Sequence, residues 1–230
     1  MGRRSDARSK MVTAARQLIR ERGYHATALS DVLELSAAPR GSVYFHFPGG
    51  KTQLAVEAAK AYAREQADLI ERAAEGSSSA VELITAYVTR ARGNLVKSNY
   101  LEGCTIAPLV LEGARESDLL ANAGSAAFSL IIESLAFQFA FFGMSRAGAR
   151  ELAEVVVSGV EGALVTARAF RSPAPFDSML AALVNHAARL GTAEPRSTSE
   201  PSEVRDQADS AGSANLADLA NPASSEETHE

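Results

Sequence analysis

The segment RGSVYFHFPGGKTQL, Arg40 to Leu54, holds the side chains best suited to meet a phosphate. Gly50-Lys51-Thr52 has the ending of a nucleotide-binding P-loop, in which bare backbone N–H groups wrap the phosphate and the lysine supplies charge. That chemistry requires a glycine five positions before Gly50 and an apolar strand leading in. Phe45 stands at that position, and Leu29 to Ser42 has helical spacing with polar punctuation. A nucleic-acid backbone is the other phosphate these residues suit: Tyr44 offers a hydroxyl, His46 an imidazole and Lys51 an ammonium. No cluster of His, Cys, Asp or Glu at ligand spacing surrounds His46, and no nucleophile and base stand at recognisable spacing. The reading calls for no metal and no cofactor.

The elements that must carry these residues are helical. The chain has 230 residues, no Trp, few aromatics and an abundance of Ala, Leu, Glu and Arg, which points to an all-α fold. Apolar residues at Val12, Ala15, Leu18 and Ile19 predict a helix from Ser9 to Arg22, with Gly23 just past its end. Thr27 is placed to cap a short second helix that turns Leu29, Val32 and Leu33 inward. Pro39 suits the first position of a third, reaching about Phe45. Pro48-Gly49-Gly50 breaks the chain before a long helix from Lys51 to about Ala74. Two short helices joined by a brief turn and flanked by longer ones form a helix-turn-helix, an all-α N-terminal unit whose second short helix enters a major groove. Further helices are expected over about 80–97, 106–114, 117–142, 147–170 and 176–190.

Net charge is −5, yet the charge is unevenly placed: residues 1–60 carry ten Lys/Arg against five Asp/Glu, and residues 192–230 carry two against nine. A basic head on an acidic body fits nucleic-acid binding; a solvated basic surface is the plainer alternative. The expected division is a DNA-binding unit over 1–50, a larger helical unit over 51–190, and a disordered acidic tail over 191–230. With Cys104 as the one cysteine, no leader and no apolar run near ~20 residues, the chain is expected in the cytoplasm and away from membranes.

The run GYHATALSDVLELSAAPRGSVYFHFPGGKTQL resembles the DNA-binding head of the TetR family of bacterial transcriptional regulators. Gly23-Tyr24, Thr27, Val32-Leu33, Gly41-Ser42, Val43-Tyr44, His46-Phe47 and Lys51 fall in that family's order and spacing. The extra glycine of FPGGK and the later Gly103-Cys104 resemble the LmrA/YxaF-like subgroup. The resemblance implies a homodimeric, ligand-responsive repressor that binds a palindromic double-stranded DNA operator and is released by a small-molecule inducer. It places the DNA contacts on Thr27, Arg40, Gly41, Ser42, Tyr44, His46 and Lys51. Arg40 suits a base edge, because its fork matches guanine O6 and N7; Lys51, Thr27 and Tyr44 suit phosphates. Two residues depart from the family pattern: Ala37 stands at the usual turn glycine, and Pro39 at a small polar position.

In the body, Leu152, Val155, Val156, Val160, Leu164 and Phe170, with a second stripe from Met179 to Leu190, are expected at the dimer interface or inside the monomer. Phe128, Phe137 and Phe141 are candidates to line a cavity for an apolar or aromatic ligand, and ordinary core is the alternative for each. Glu133, inside SLIIESLAF, is either exposed or paired with a ligand's polar group. Cys104 precedes a helix start, which can lower a thiol pKa and make a sensor; inert core is the other reading. A helical enzyme, or an interaction module without DNA binding, is the competing function class.

Overall fold

The computed structural model describes residues 2–39 and 41–192, and the regular elements among them are all helical. The expected tail lies outside the described residues from position 193 onward. α1 (Gly2–Arg22) begins seven residues before the predicted start, because apolar periodicity is silent over the basic stretch GRRSDARS, although its three arginines and its alanine favour a helix. It buries Met11, Ala14, Ala15, Leu18 and Ile19, and ends at Gly23, whose N–H bonds the Ile19 carbonyl at a φ of +91°. α2 (Leu29–Ser36) and α3 (Ser42–His46) follow.

Thr27 does not cap α2. The residue before the helix is Ala28, without a side-chain cap, and the Thr27 hydroxyl donates instead to the Gly23 carbonyl at 2.7 Å. α2 ends in a double hydrogen bond, Ala38 N–H to Leu33 carbonyl and Ala37 N–H to Glu34 carbonyl, with Ala37 in the left-handed region at φ 53° and ψ 31°. This is the Schellman arrangement that glycine normally completes, so the turn keeps its path despite the alanine. α3 starts three residues later than predicted, because Pro39 opens a turn closed by the Ser42 N–H on its carbonyl at 2.9 Å.

α4 (Gly50–Glu75) belongs to both halves of the molecule. Its start packs beside α1 and the rest lies along α6; between them Ala55, Ala58, Ala59 and Ala63 are at most 1 % exposed. α5 (Ala80–Lys97) is capped by Ser79, whose hydroxyl accepts the Glu82 N–H, and the Glu82 carboxylate accepts from Ser78 in return. After a loop with left-handed Asn99 and Tyr100 comes a π-helical turn (Leu109–Gly113) where an α-helix was expected. α6 (Asp118–Phe141), α7 (Arg146–Phe170) and α8 (Ala174–Thr192) complete the bundle, α6 between α4 and α7, and α8 across α5 and α7.

Among the described residues α6 is the one helix long and apolar enough to cross a membrane, with a mean hydropathy of 1.5. This corrects the expectation that no segment qualifies: Glu133, Ser129, Ser134 and Gln138 are too few to offset its Leu, Ile and Phe. Leu120, Ala127, Ile131, Leu135 and Phe139 fill the core. The expected α7 stripe divides between two faces. Leu152, Val156 and Val160 are core, whereas Val155 and Phe170 point outward at 42 % and 72 % exposure.

Candidate nucleic-acid interface

α3 is held from within by Val43 and Phe47, 2 % and 0 % exposed, with the Arg8 guanidinium 5.1 Å from the Phe47 ring centroid. Arg8 is itself fixed by Glu57 of α4 at 2.8 Å. Anchored on that side, the helix turns Tyr44 and Phe45 outward, 64 % and 65 % exposed. Tyr44 leans toward the start of α4: its Cε1 lies 3.8 Å from where a side chain on Gly50 would begin. At Gly41 no atom lies within 4 Å of that position, so a neighbouring backbone meets nothing there. Ser42 spends its hydroxyl proton on the Pro39 carbonyl at 2.6 Å, leaving its oxygen as an acceptor. His46 is half-buried with its ring between Phe45 and Phe47. Arg40 lies outside the described residues.

Thr27 is 3 % exposed and its proton is committed to Gly23, so it braces the α1–α2 loop. Lys51 stands on the first turn of α4, where the helix dipole also favours an anion. Its Nζ donates to the His25 carbonyl at 3.0 Å and lies 4.5 Å from the Tyr24 ring centroid. Desolvation lowers its pKa, and the carboxylates of Glu112 and Glu116 oppose that. Tyr44 and the start of α4 thus share one outer region, with Gly41 open at the head of α3 and Thr27 bracing the preceding loop. Tyr24, His25 and Glu112 belong to the same construction; the last two were not legible in the sequence, because they meet across 87 positions.

The interior of the body holds a cavity of about 70 Å³, lined among others by Arg20, Tyr62, Tyr87, Ile131, Val157 and Glu161. It shares Arg20, Gly103, Glu161 and Leu164 with a cleft of about 400 Å³ between the end of α1, the 103–112 segment and α7. None of the four predicted ligand residues lines either space. Phe137 and Phe141 are 69 % and 77 % exposed, Phe128 is half-buried against the core, and exposed Glu133 borders an outer groove with Phe137 and Glu71. α6 is apolar on several faces, so its periodicity does not say which one turns inward. The carboxylate that lines both spaces is Glu161, half-buried, whose pKa is raised by desolvation. The signal for it was there in VSGVEGALV, the same pattern of an acid within an apolar run that drew attention to Glu133.

Cys104 is 5 % exposed. The N–H groups of Ile106 and Ala107 do point at its sulfur, at 3.2 and 3.4 Å, as a helix start should provide. Burial outweighs them, Glu161 adds to it, and the thiol pKa is pushed well up. A protonated, enclosed thiol is a poor nucleophile, contrary to the sensor reading.

Residues 12–58 match the model of the TetR family of bacterial regulatory proteins, and residues 80–182 match the transcriptional regulator LmrA/YxaF-like C-terminal domain. An uncharacterized HTH-type transcriptional regulator of Mycobacterium tuberculosis (strain ATCC 25618 / H37Rv) is 41 % identical over 176 residues, covering 74 % of this chain and 88 % of the relative. The HTH-type transcriptional regulator LmrA of Bacillus subtilis is 30 % identical over 173 residues, covering 74 % and 90 %. The crystal structure of a TetR regulatory protein from Rhodobacter sphaeroides superposes with a TM-score of 0.70 at 22 % identity, over 78 % of this chain and 98 % of the other. A cysteine-substituted CifR, a TetR-family regulator complexed with 26bp double-strand operator DNA, superposes at 0.63 with 20 % identity, over 79 % and 95 %. With a head and a body that each match and relatives aligned across both, the chain belongs to the TetR family of transcriptional regulators, in its LmrA/YxaF-like branch.

Proposed function

We propose that this regulator is a cytoplasmic repressor that binds a palindromic operator as a homodimer and leaves it when a small molecule occupies the body. The observation that carries the DNA-contact reading is the outer region of the head, where exposed Tyr44 lies beside the lysine-bearing first turn of α4 and Gly41 is open at the head of α3. Tyr44 and Lys51 take phosphates, Ser42 and His46 lie against the groove, and Arg40, on sequence grounds alone, reads a guanine. Dimerisation is supported by the outward faces of α7 and α8, where Ser158, Gly162, Thr166, Ala181, Ala182 and Asn185 leave room for a two-fold related copy to approach. The ligand reading moves from the phenylalanines of α6 to the cavity beside Glu161. Its tyrosines and apolar side chains suit an aromatic molecule, and Arg20 and Glu161 supply polar partners.

Footprinting on the DNA upstream of the chain's own coding sequence, in excess competitor, tests this. A near-palindrome is expected, with half-site centres about 34–36 Å apart or a multiple of that, and affinity falling steeply with salt. Binding of a monomer to a single non-repeated site overturns the proposal.

A further inference from the structure

Head and body meet at a contact built around one carboxylate. Glu112, on the π-helical turn, accepts the backbone N–H of His25 at 2.7 Å, and its own carbonyl oxygen lies 3.0 Å from His25 Nε2. Its carboxylate occupies the space that a side chain at Gly23 would need. The next residue, Gly113, lies against the Tyr24 ring, where an added Cβ would stand 3.3 Å from two ring carbons. The other side of the same segment is held by α4: Lys51 Nζ on the His25 carbonyl at 3.0 Å and the Tyr24 hydroxyl 3.4 Å from Thr52 Oγ1. Residues 23–27 are therefore gripped by the body on one side and by the lysine-bearing turn on the other. Glu116 adds a second carboxylate, 3.7 Å from His25 Nε2.

We propose that Glu112 is a positioning residue for the DNA contact of Lys51, fixing the carbonyl to which the ammonium is tied and offsetting its charge from the body side. The proposal rests on the assignment of Lys51 to a phosphate made above. An ammonium has three donors, and with one spent on His25 the other two are aimed by where that carbonyl sits. The π-helical turn that carries Glu112 also carries fully buried Leu109, and follows directly on the Cys104–Pro108 segment that walls the Glu161 cleft. A shift of that wall displaces Glu112 and so changes the aim and the effective charge of Lys51.

Glu112→Gln separates charge from anchorage, since the amide oxygen still accepts the His25 N–H. The Lys51 ammonium is titrated by NMR in the full chain without DNA, and affinity for a duplex carrying the footprinted site is measured against a random duplex over a range of salt. The expected results are a lower Lys51 pKa in the variant and an operator affinity raised about three- to tenfold at low salt, a gain that fades at high salt. The gain should vanish when Lys51→Met is added. Glu112→Ala, which loses the anchor as well, should bind the operator more weakly than Glu112→Gln while the random duplex barely distinguishes them. An unmoved Lys51 titration overturns the proposal, as does an equal gain in the Lys51→Met background, which would mean the charge acts on DNA directly. A Lys51→Met chain with unchanged affinity and salt slope overturns the phosphate assignment itself, and the titration then reports separately on the Glu112 contact.

Discussion

Replacing Ala37 by glycine should stabilise the protein. A left-handed backbone brings Cβ against the following carbonyl and costs an L-residue about 1–2 kcal/mol. Ala37 accepts that conformation because two hydrogen bonds, from its own N–H and from that of Ala38, close the end of α2 only if φ is positive. Its methyl is exposed, so deleting it forfeits almost no packing. Against the relief stands the greater freedom of glycine in the unfolded chain, about 0.5–1 kcal/mol. The difference, about 0.5–1 kcal/mol in favour of Ala37→Gly, corresponds to a Tm higher by about 1–4 °C for a chain of this size. Thermal melts followed by far-UV circular dichroism measure it, with Ala37→Val as the opposing control, since a β-branched side chain tolerates a positive φ worst. A glycine variant that melts below the parent, or a valine variant that melts with it, refutes the strain argument. Arg171, also left-handed at φ 49°, is no substitute for the test: it donates to Asn99 Oδ1 and lies over the Tyr100 ring, so glycine there removes contacts as well as strain.

Phe47→Ala should cost about 3–5 kcal/mol and abolish operator binding, because it empties the site that seats α3; a melt within a degree of the parent would show that the head does not depend on it. Glu161 has a folded pKa above its ordinary value of 4.5, so the folded chain binds the extra proton. Its contribution is fully present below the unfolded pKa and is lost as pH rises through the folded one. As pH rises above 4.5 the parent should therefore lose more stability than Glu161→Gln, and parallel curves from paired melts would refute the assignment. Cys104 should react slowly with a thiol reagent near neutral pH and quickly once the chain is unfolded in denaturant; fast labelling of the native chain would reopen the sensor reading.

What the sequence made legible follows the range of the forces involved. The bounds of α5, α6 and α7 emerged to within a residue because capping serines at 79 and 145 and long apolar stretches are local signals. Thr27 was misread as a cap since its hydroxyl had two acceptable partners within a few residues, and only the folded loop chooses Gly23. Pro39 suits a helix start and a turn equally well. The phenylalanines of α6 could not be sorted because a helix apolar on several faces has no preferred side until its neighbours are in place. The clasp of Glu112 on His25 joins positions that periodicity and spacing cannot relate at all.

The alanines on the inner face of α4 bear on how a regulator of this build can move. Ala55, Ala58, Ala59 and Ala63 have no χ torsion, so over that stretch the buried side chains of α4 itself cannot change rotamer to take up a displacement. In a seam of leucines, a small push on one helix is dissipated as each side chain swings into a new staggered well. Here α4 offers only methyl groups, and any adjustment falls to the side chains of the helices packed on it. A push on that stretch is therefore expected to move α4 as a unit, and with it the turn that carries Lys51.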